Sequence, residues 1–412
     1  MSRMRATSAI VLALSMLLGN AAWGQSPATT IKIGVLNDMS GPYADFSGKE
    51  SVIAAQMAAD DFAKEAGSKA PRVEILSADH QNKADVGAAI TRKWVDQDGG
   101  AAVVDVPNSS VALAVNQVLR EKDRTFLASS TATSDLTGPQ CAPTTVQWTM
   151  DTWALANGTA RPLVKSGGDT WFFVTADYAF GKALERDASD IVRKTGGRVL
   201  GDALHPLDTS DFSSYLLQAQ SSGAKVIALA NAGTDASNAI KQAAEFGIGR
   251  GSNQRLAALL VFITDIDALG LQVAQGLLLT EAFYWDLNEQ TRAWSKRFAE
   301  RAGGRVPTMN HAGVYSSVLA YLRAAEKVGI PANGAPSGRA MVAQMGTSPI
   351  DDPLFGPTTI RKDGRAVHAM YLFQVKTPGQ SSGRWDYYKL VATIPPEEAF
   401  RPMGEGGCPL VK

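Results

Sequence analysis

The chain has 412 residues, with 40 Lys plus Arg against 40 Asp plus Glu, and is 45% hydrophobic and 19% charged. These are ordinary globular proportions, too apolar for a disordered chain and without the basic block that nucleic-acid binding needs. The length is comfortable for two domains.

Arg3 and Arg5 precede an apolar run, Ile10 to Leu18, that is too short to span a bilayer as a helix. Ala22-Trp23-Gly24 then offers small residues at the −3 and −1 positions of a cleavage site. Residues 1–24 are therefore expected to be a secretory signal peptide. No Cys stands near the cut, so a periplasmic protein free of lipid is expected. Loss of the two Arg leaves roughly 385 residues with a net charge of about −2. The two cysteines, Cys141 and Cys408, would enter an oxidising compartment, where they can pair and close a loop of about 270 residues or stay as free thiols.

Short β-branched runs then alternate with amphipathic stretches. Strands are expected at Ile31–Leu36, Val73–Leu76, Ala101–Val106 and Thr125–Ala128, with helices at Lys49–Ala66, Val86–Asp96 and Ser110–Lys122. The pattern restarts with strands at Trp171–Val174, Arg198–Leu200, Val226–Leu229 and Leu259–Ile263. Helices at Gly181–Thr195, Phe212–Gln220 and Thr234–Phe246 fall between them. This alternation implies parallel sheets covered on both faces, in two similar α/β lobes. Further on, Arg292–Arg301, Asn310–Val328 and Arg339–Met345 read as helices, and Met370–Val375 and Trp385–Val391 as strands joined by the turn Pro378–Gly383. The expected division is 25–149 plus 283–365 for the first lobe and 150–282 plus 366–394 for the second. An extended strap covers 395–412. Repeated crossing between lobes implies a hinge and a cleft.

No G-x-x-x-x-G-K-[S/T] loop, G-x-G-x-x-G turn after the first strand, or G-x-S-x-G elbow occurs. His80, His205, His311 and His368 are scattered, with no metal spacing. The expectation is no catalytic residue, no metal and no cofactor. The informative segments follow the strands, where open α/β sheets bind ligands. Tyr43 stands at the tip of the first such loop. Ser109 and Ser110 open a helix, where they can cap it or hold an anion. Thr131 and Thr133 lie in a second hydroxyl-rich loop, and Tyr178, Asn231 and Asp265 follow strands of the second half. Tyr178 can stack on a ligand or remain a surface aromatic; Asp265 can meet an ammonium or cap the next helix.

The segments IKIGVLNDMSGPYADFSG, VVDVPNSSVALAV, FLASSTATSDLT, FFVTADYAFGKALERD and AGVYSSVLAYLRAAE together resemble the type I periplasmic solute-binding proteins of ABC transporters, in the leucine/isoleucine/valine-binding branch. The resemblance spans the mature chain. It implies two Rossmann-like lobes joined by a multi-strand hinge, and a monomer that closes on a small carboxylate ligand and delivers it to an inner-membrane permease with ATPase subunits. It also implies that Ser109 and Ser110 hold a carboxylate, Thr131 and Thr133 contact the amino acid, Tyr178 swings over it and Asp265 meets its ammonium. Three features depart from that branch: Asn231-Ala232-Gly233, the IDALGLQ segment after Asp265, and the placement of the cysteines. They leave the ligand open between amino acids and amides, urea or aromatic carboxylates. A sensory receptor of the same fold and an exported enzyme are the other readings.

Overall fold

A computed structural model of the chain describes residues 29–249 and 253–411, so the expected signal peptide lies outside the described residues. Strands β1 (Thr30–Asn37), β2 (Arg72–Asp79), β3 (Gly100–Asp105), β4 (Thr125–Ala128) and β5 (Thr145–Gln147) form one sheet in the order β2-β1-β3-β4-β5. Every pair is parallel. Parallel neighbours need crossovers, and α1 (Gly48–Ala66), α2 (Ala84–Asp96) and α3 (Ser109–Lys122) supply them. All six residues of β3 are buried, as a central strand covered on both faces requires.

A second parallel sheet follows the same plan. β6 (Thr170–Ala176), β7 (Arg198–His205), β8 (Val226–Ala230) and β9 (Arg255–Ala258) lie in the order β7-β6-β8-β9. The flanking helices are α4 (Thr152–Lys165), α5 (Ala179–Lys194), α6 (Ser213–Ser221), α7 (Thr234–Glu245), α8 (Ile263–Leu269) and α9 (Leu271–Ala274). The molecule is thus an α/β protein of two lobes. In each sheet the strand order reverses beside the first strand, which opens a crevice at the carboxyl ends.

The rest of the chain is β10 (Leu278–Glu281), α10 (Glu289–Arg301), α11 (Met309–Val328), α12 (Gly338–Met345), β11 (Ile350–Asp352), β12 (Gly356–Ile360), β13 (Ala366–Val367), β14 (Met370–Val375), β15 (Tyr388–Ile394) and α13 (Pro396–Ala399). Helix α11 is buried on nearly every side and packs on α1 and β3, while α12 packs on β4. Strands β10, β14 and β15 form an antiparallel sheet against α4.

One buried cation ties these crossings together. The Arg365 side chain is fully buried and donates to the carbonyls of Met150 (2.9 Å), Ala366 (2.8 Å) and Trp148. It lies 3.6 Å from a carboxylate oxygen of Asp151, and its guanidinium sits 4.3 Å from the Phe400 ring centre. An Arg fork can hold several carbonyls at once, which a Lys ammonium cannot do in one plane.

The tail from Pro395 touches both lobes. Asn157 Nδ2 on α4 donates to the Glu398 carbonyl (2.8 Å), and Lys194 on α5 pairs with Glu405 (3.3 Å). On the other side Arg401 donates to the Ser134 carbonyl (3.2 Å), and Cys408 is disulfide-bonded to Cys141.

Several elements differ from their sequence reading. The apolar run Leu259–Ile263 is not a strand: β9 ends at Ala258 and α8 begins at Ile263, because the Asp265 carboxylate takes the Phe262 N–H (2.9 Å) and turns the chain into a helix. The last strand is Tyr388–Ile394, three residues beyond its expected place. The tail is not extended throughout, since it carries α13 and a 3₁₀ turn at Met403–Glu405. Strands β5 and β10 are too short for periodicity to mark, and Pro162 breaks the helical signal of α4 although it lies inside that helix.

Candidate functional site

The carboxyl ends of the two sheets face one another, and their loops meet. From the first lobe come Tyr43 and Phe46 after β1, Pro107 after β3, Ser130 and Ala132 after β4, and Met150 after β5. From the second come Tyr178 and Phe180 after β6, Ala232 after β8, and Leu260 and Phe262 after β9. All eleven lining residues are uncharged, and five are aromatic. The space they enclose is about 10 Å³, roughly the room of one water molecule. A guest therefore enters only when the lobes part. Larger hollows lie elsewhere, one of about 610 Å³ beneath the tail, but not at the strand ends where this fold gathers its loops.

The loops are positioned by local hydrogen bonding. Asp38 accepts from the Gly41 N–H (2.7 Å), the Tyr43 N–H (2.9 Å) and Asn82 Nδ2 (2.7 Å), which curls the first loop and aims Tyr43 across the cleft. Its hydroxyl hydrogen-bonds the Tyr178 hydroxyl of the opposite lobe. Phe46 stacks on Phe262, with centroids 4.1 Å apart and planes 19° apart. The Thr234 N–H donates to the Pro42 carbonyl (3.2 Å). That clasp requires Gly233, which has φ +61° and whose Cβ, if present, would stand 2.2 Å from the Pro42 oxygen. Beside the cleft, Arg186 of α5 meets Asp135 (3.1 Å), and Ser134 donates to Asp187 (2.6 Å). Burial raises both tyrosine hydroxyls above their usual range, and each also feels the nearby Asp235 carboxylate. Both tyrosines stay neutral across ordinary pH.

Of the residues singled out in the sequence, Tyr43 and Tyr178 line the cavity and touch each other. The others surround it. Ser109 accepts the Thr133 N–H (3.3 Å), and the Thr133 hydroxyl accepts the Asp135 N–H (3.3 Å). Thr131 donates to the Val106 carbonyl (2.6 Å). Asn108, not a serine, caps α3, accepting from the Ser110 N–H (3.0 Å) and the Val111 N–H (3.2 Å). Asn231 Nδ2 lies 3.2 Å from His205 Nε2. Asp265 accepts from the Phe262 N–H and from the Ser237 hydroxyl (3.1 Å), and burial raises its carboxyl to about 7. None of these six residues is among those that line the cavity.

Except for Ser130, the remaining walls are apolar. Leu260 and Phe262 were hidden in a run that reads as a strand, and Met150 lies in a segment without periodicity. Ser130 and Ala132 alternate with the two threonines that were named, on the other face of the same loop.

A family model described as periplasmic binding protein matches residues 30–383. The chain belongs to the periplasmic binding protein family. The family and its structural neighbours are substrate-binding proteins and not enzymes. A solved periplasmic binding protein from Burkholderia mallei is 46% identical, with 93% of this chain and all of that one covered and a TM-score of 0.88. A branched chain amino acid ABC transporter periplasmic ligand-binding protein from Burkholderia xenovorans is 36% identical over the same shares, with a TM-score of 0.81. A Rhodopseudomonas palustris ABC transporter solute binding protein in complex with benzoate shares the fold at 18% identity and a TM-score of 0.76, covering 89% of this chain and 97% of its own. A search of curated proteins finds no match. As in the rest of this periplasmic binding protein family, the place of work is the periplasm.

Proposed function

We propose that this protein is the solute-binding component of an ABC uptake system and that it captures a small organic ligand with a flat apolar ring. The observation that carries this reading is the ring of aromatic walls, Tyr43, Phe46, Tyr178, Phe180 and Phe262, contributed by both lobes with no charged side chain among the lining residues. Aromatic faces favour offset or edge contacts with a planar guest. A zwitterionic amino acid would need a partner for its ammonium, and Asp265 is engaged in holding its own helix start. The fold accepts an aromatic guest, since the R. palustris protein is in complex with benzoate.

In this mechanism the ligand docks on one open lobe, and closure brings Tyr178 and Phe262 against it. A ligand favours the closed state only through contacts it makes with both lobes. Ser109, Ser110, Thr131, Thr133, Asn231 and Asp265 act by fixing the loops that carry the walls. The closed form then meets a membrane permease powered by ATPase subunits.

The test is titration calorimetry on protein unfolded and refolded to strip co-purified ligand. Benzoate-type ring compounds are expected to bind with 1:1 stoichiometry, and leucine, isoleucine and valine to bind at least ten-fold more weakly. Tight binding of the aliphatic amino acids alone would overturn the ring reading.

A further inference from the structure

Asp105 is a fully buried carboxylate at the end of β3, two residues before Pro107 of the cleft wall. Its Oδ2 accepts from Asn37 Nδ2 (2.8 Å) and the Ser47 hydroxyl (2.8 Å), and its Oδ1 accepts from the Ser130 hydroxyl. The Ser130 N–H also reaches the Asp105 carbonyl (3.3 Å). Asn37 is itself fixed, since it also donates to the Gly48 carbonyl (2.7 Å). Asp105 and Val106 have φ of +85° and +57°, two consecutive non-glycine residues in left-handed backbone. Such backbone persists where the surroundings over-determine it, and it gathers at ligand sites.

Ser130 is the one member of this cluster that lines the cleft. A serine hydroxyl has one hydrogen and two lone pairs. A carboxylate held by three donors is an acceptor, so the Ser130 hydrogen is committed to it and only lone pairs remain for a guest. We propose that Asp105 sets the polarity of Ser130, so that the cleft selects ligands carrying a hydroxyl or N–H donor and rejects those that bring an acceptor to this point. Asp105 is a positioning residue; Ser130 makes the contact. The inference rests on the ring-binding reading of the cleft and adds to it a rule for the ring's substituent.

The test compares 3- and 4-hydroxybenzoate with 3- and 4-fluorobenzoate, which are alike in size but lack the donor, by calorimetry on the refolded full chain. Wild type is expected to prefer at least one hydroxyl compound about ten-fold, since an unmet polar partner in a buried site is what discriminates. Ser130→Ala is expected to bring the affinity ratio of each hydroxyl compound to its fluoro counterpart to within two-fold of unity, whatever the absolute affinities. Asp105→Asn can turn its amide N–H toward Ser130, which frees the hydroxyl hydrogen, so the preference is expected to vanish or reverse. Should Asp105→Asn not fold, Ser130→Ala decides alone. A preference that survives Ser130→Ala, or wild-type binding without preference, overturns the selection rule and leaves the ring-binding reading standing. No binding of any of the four by wild type overturns both.

Discussion

Arg365 and Asp151 lie 3.6 Å apart with neither side chain open to solvent, at the point where the chain first leaves one lobe for the other. Burial outweighs attraction on both sides: it lowers the guanidinium to about 10 and raises the carboxyl. The pair therefore adds little as a pair, and the danger lies in removing one member. Arg365→Ala is expected to cost about 3–5 kcal/mol, since it strands a buried carboxyl and three carbonyls. Asp151→Asn is expected to cost less, because Arg365 keeps its carbonyl partners. Urea unfolding of the two variants checks the order.

The Tyr43–Tyr178 contact joins the lobes hydroxyl to hydroxyl. Tyr178→Phe is expected to weaken the closed arrangement by about 0.5–1.5 kcal/mol, the range of one neutral hydrogen bond. Small-angle scattering should then show a larger radius of gyration than wild type. An unchanged scattering curve would mean that the Phe46–Phe262 stack and the Thr234–Pro42 clasp hold the lobes by themselves.

Asp265 gives a prediction in pH. Its folded carboxyl sits at about 7 because of burial, well above the ordinary 3.8. The folded state thus holds a proton that the unfolded state has released, and this contribution is full below about pH 4 and is lost as pH rises toward 7. Asp265→Asn keeps an uncharged group there at every pH. The stability of Asp265→Asn relative to wild type is expected to rise with pH between about 4 and 7, by at most about 1.4 kcal/mol per unit, and then to level off. Thermal unfolding at four pH values reads it directly. A flat difference would show that the carboxylate stays charged in the fold.

The Cys141–Cys408 bond closes a loop of 267 residues in sequence. Chain-entropy reasoning assigns such a loop about 5 kcal/mol of stability, with native strain able to reduce it. Cys408→Ser is expected to lower the melting temperature by several degrees without loss of secondary structure. Circular dichroism in the far ultraviolet and a thermal scan separate the two effects.

Much of the architecture was readable because the central strands of each lobe are largely apolar and buried and the helices are striped. The run Ala101–Val106 and the helix Lys49–Ala66 carry their own periodicity. The failures have specific causes. Leu259–Ile263 has strand composition, yet Leu260 and Phe262 line the cleft, and a single carboxylate at Asp265 bends the backbone into a helix. Of the candidate site, the two tyrosines were legible because loop tips after strands point into a crevice. The serines and threonines were not separable by sequence into wall and support, since a hydroxyl that faces a ligand and one that caps a turn look alike in one dimension. Thr131 and Ser130 are adjacent, but only Ser130 lines the cavity. The buried acid behind it, Asp105, reads in sequence as one polar residue in an apolar run.

The tail that carries Cys408 starts from a strand of one lobe and is covalently fastened to the other. The backbone between residues 141 and 408 is therefore a closed ring. A protease that nicks any one surface turn in that ring opens the chain without dividing it. The two pieces would migrate together on a non-reducing gel and part only after reduction. For a protein exposed to periplasmic proteolysis, such a ring preserves the alignment of the lobes after a cut that would split an unringed hinge protein.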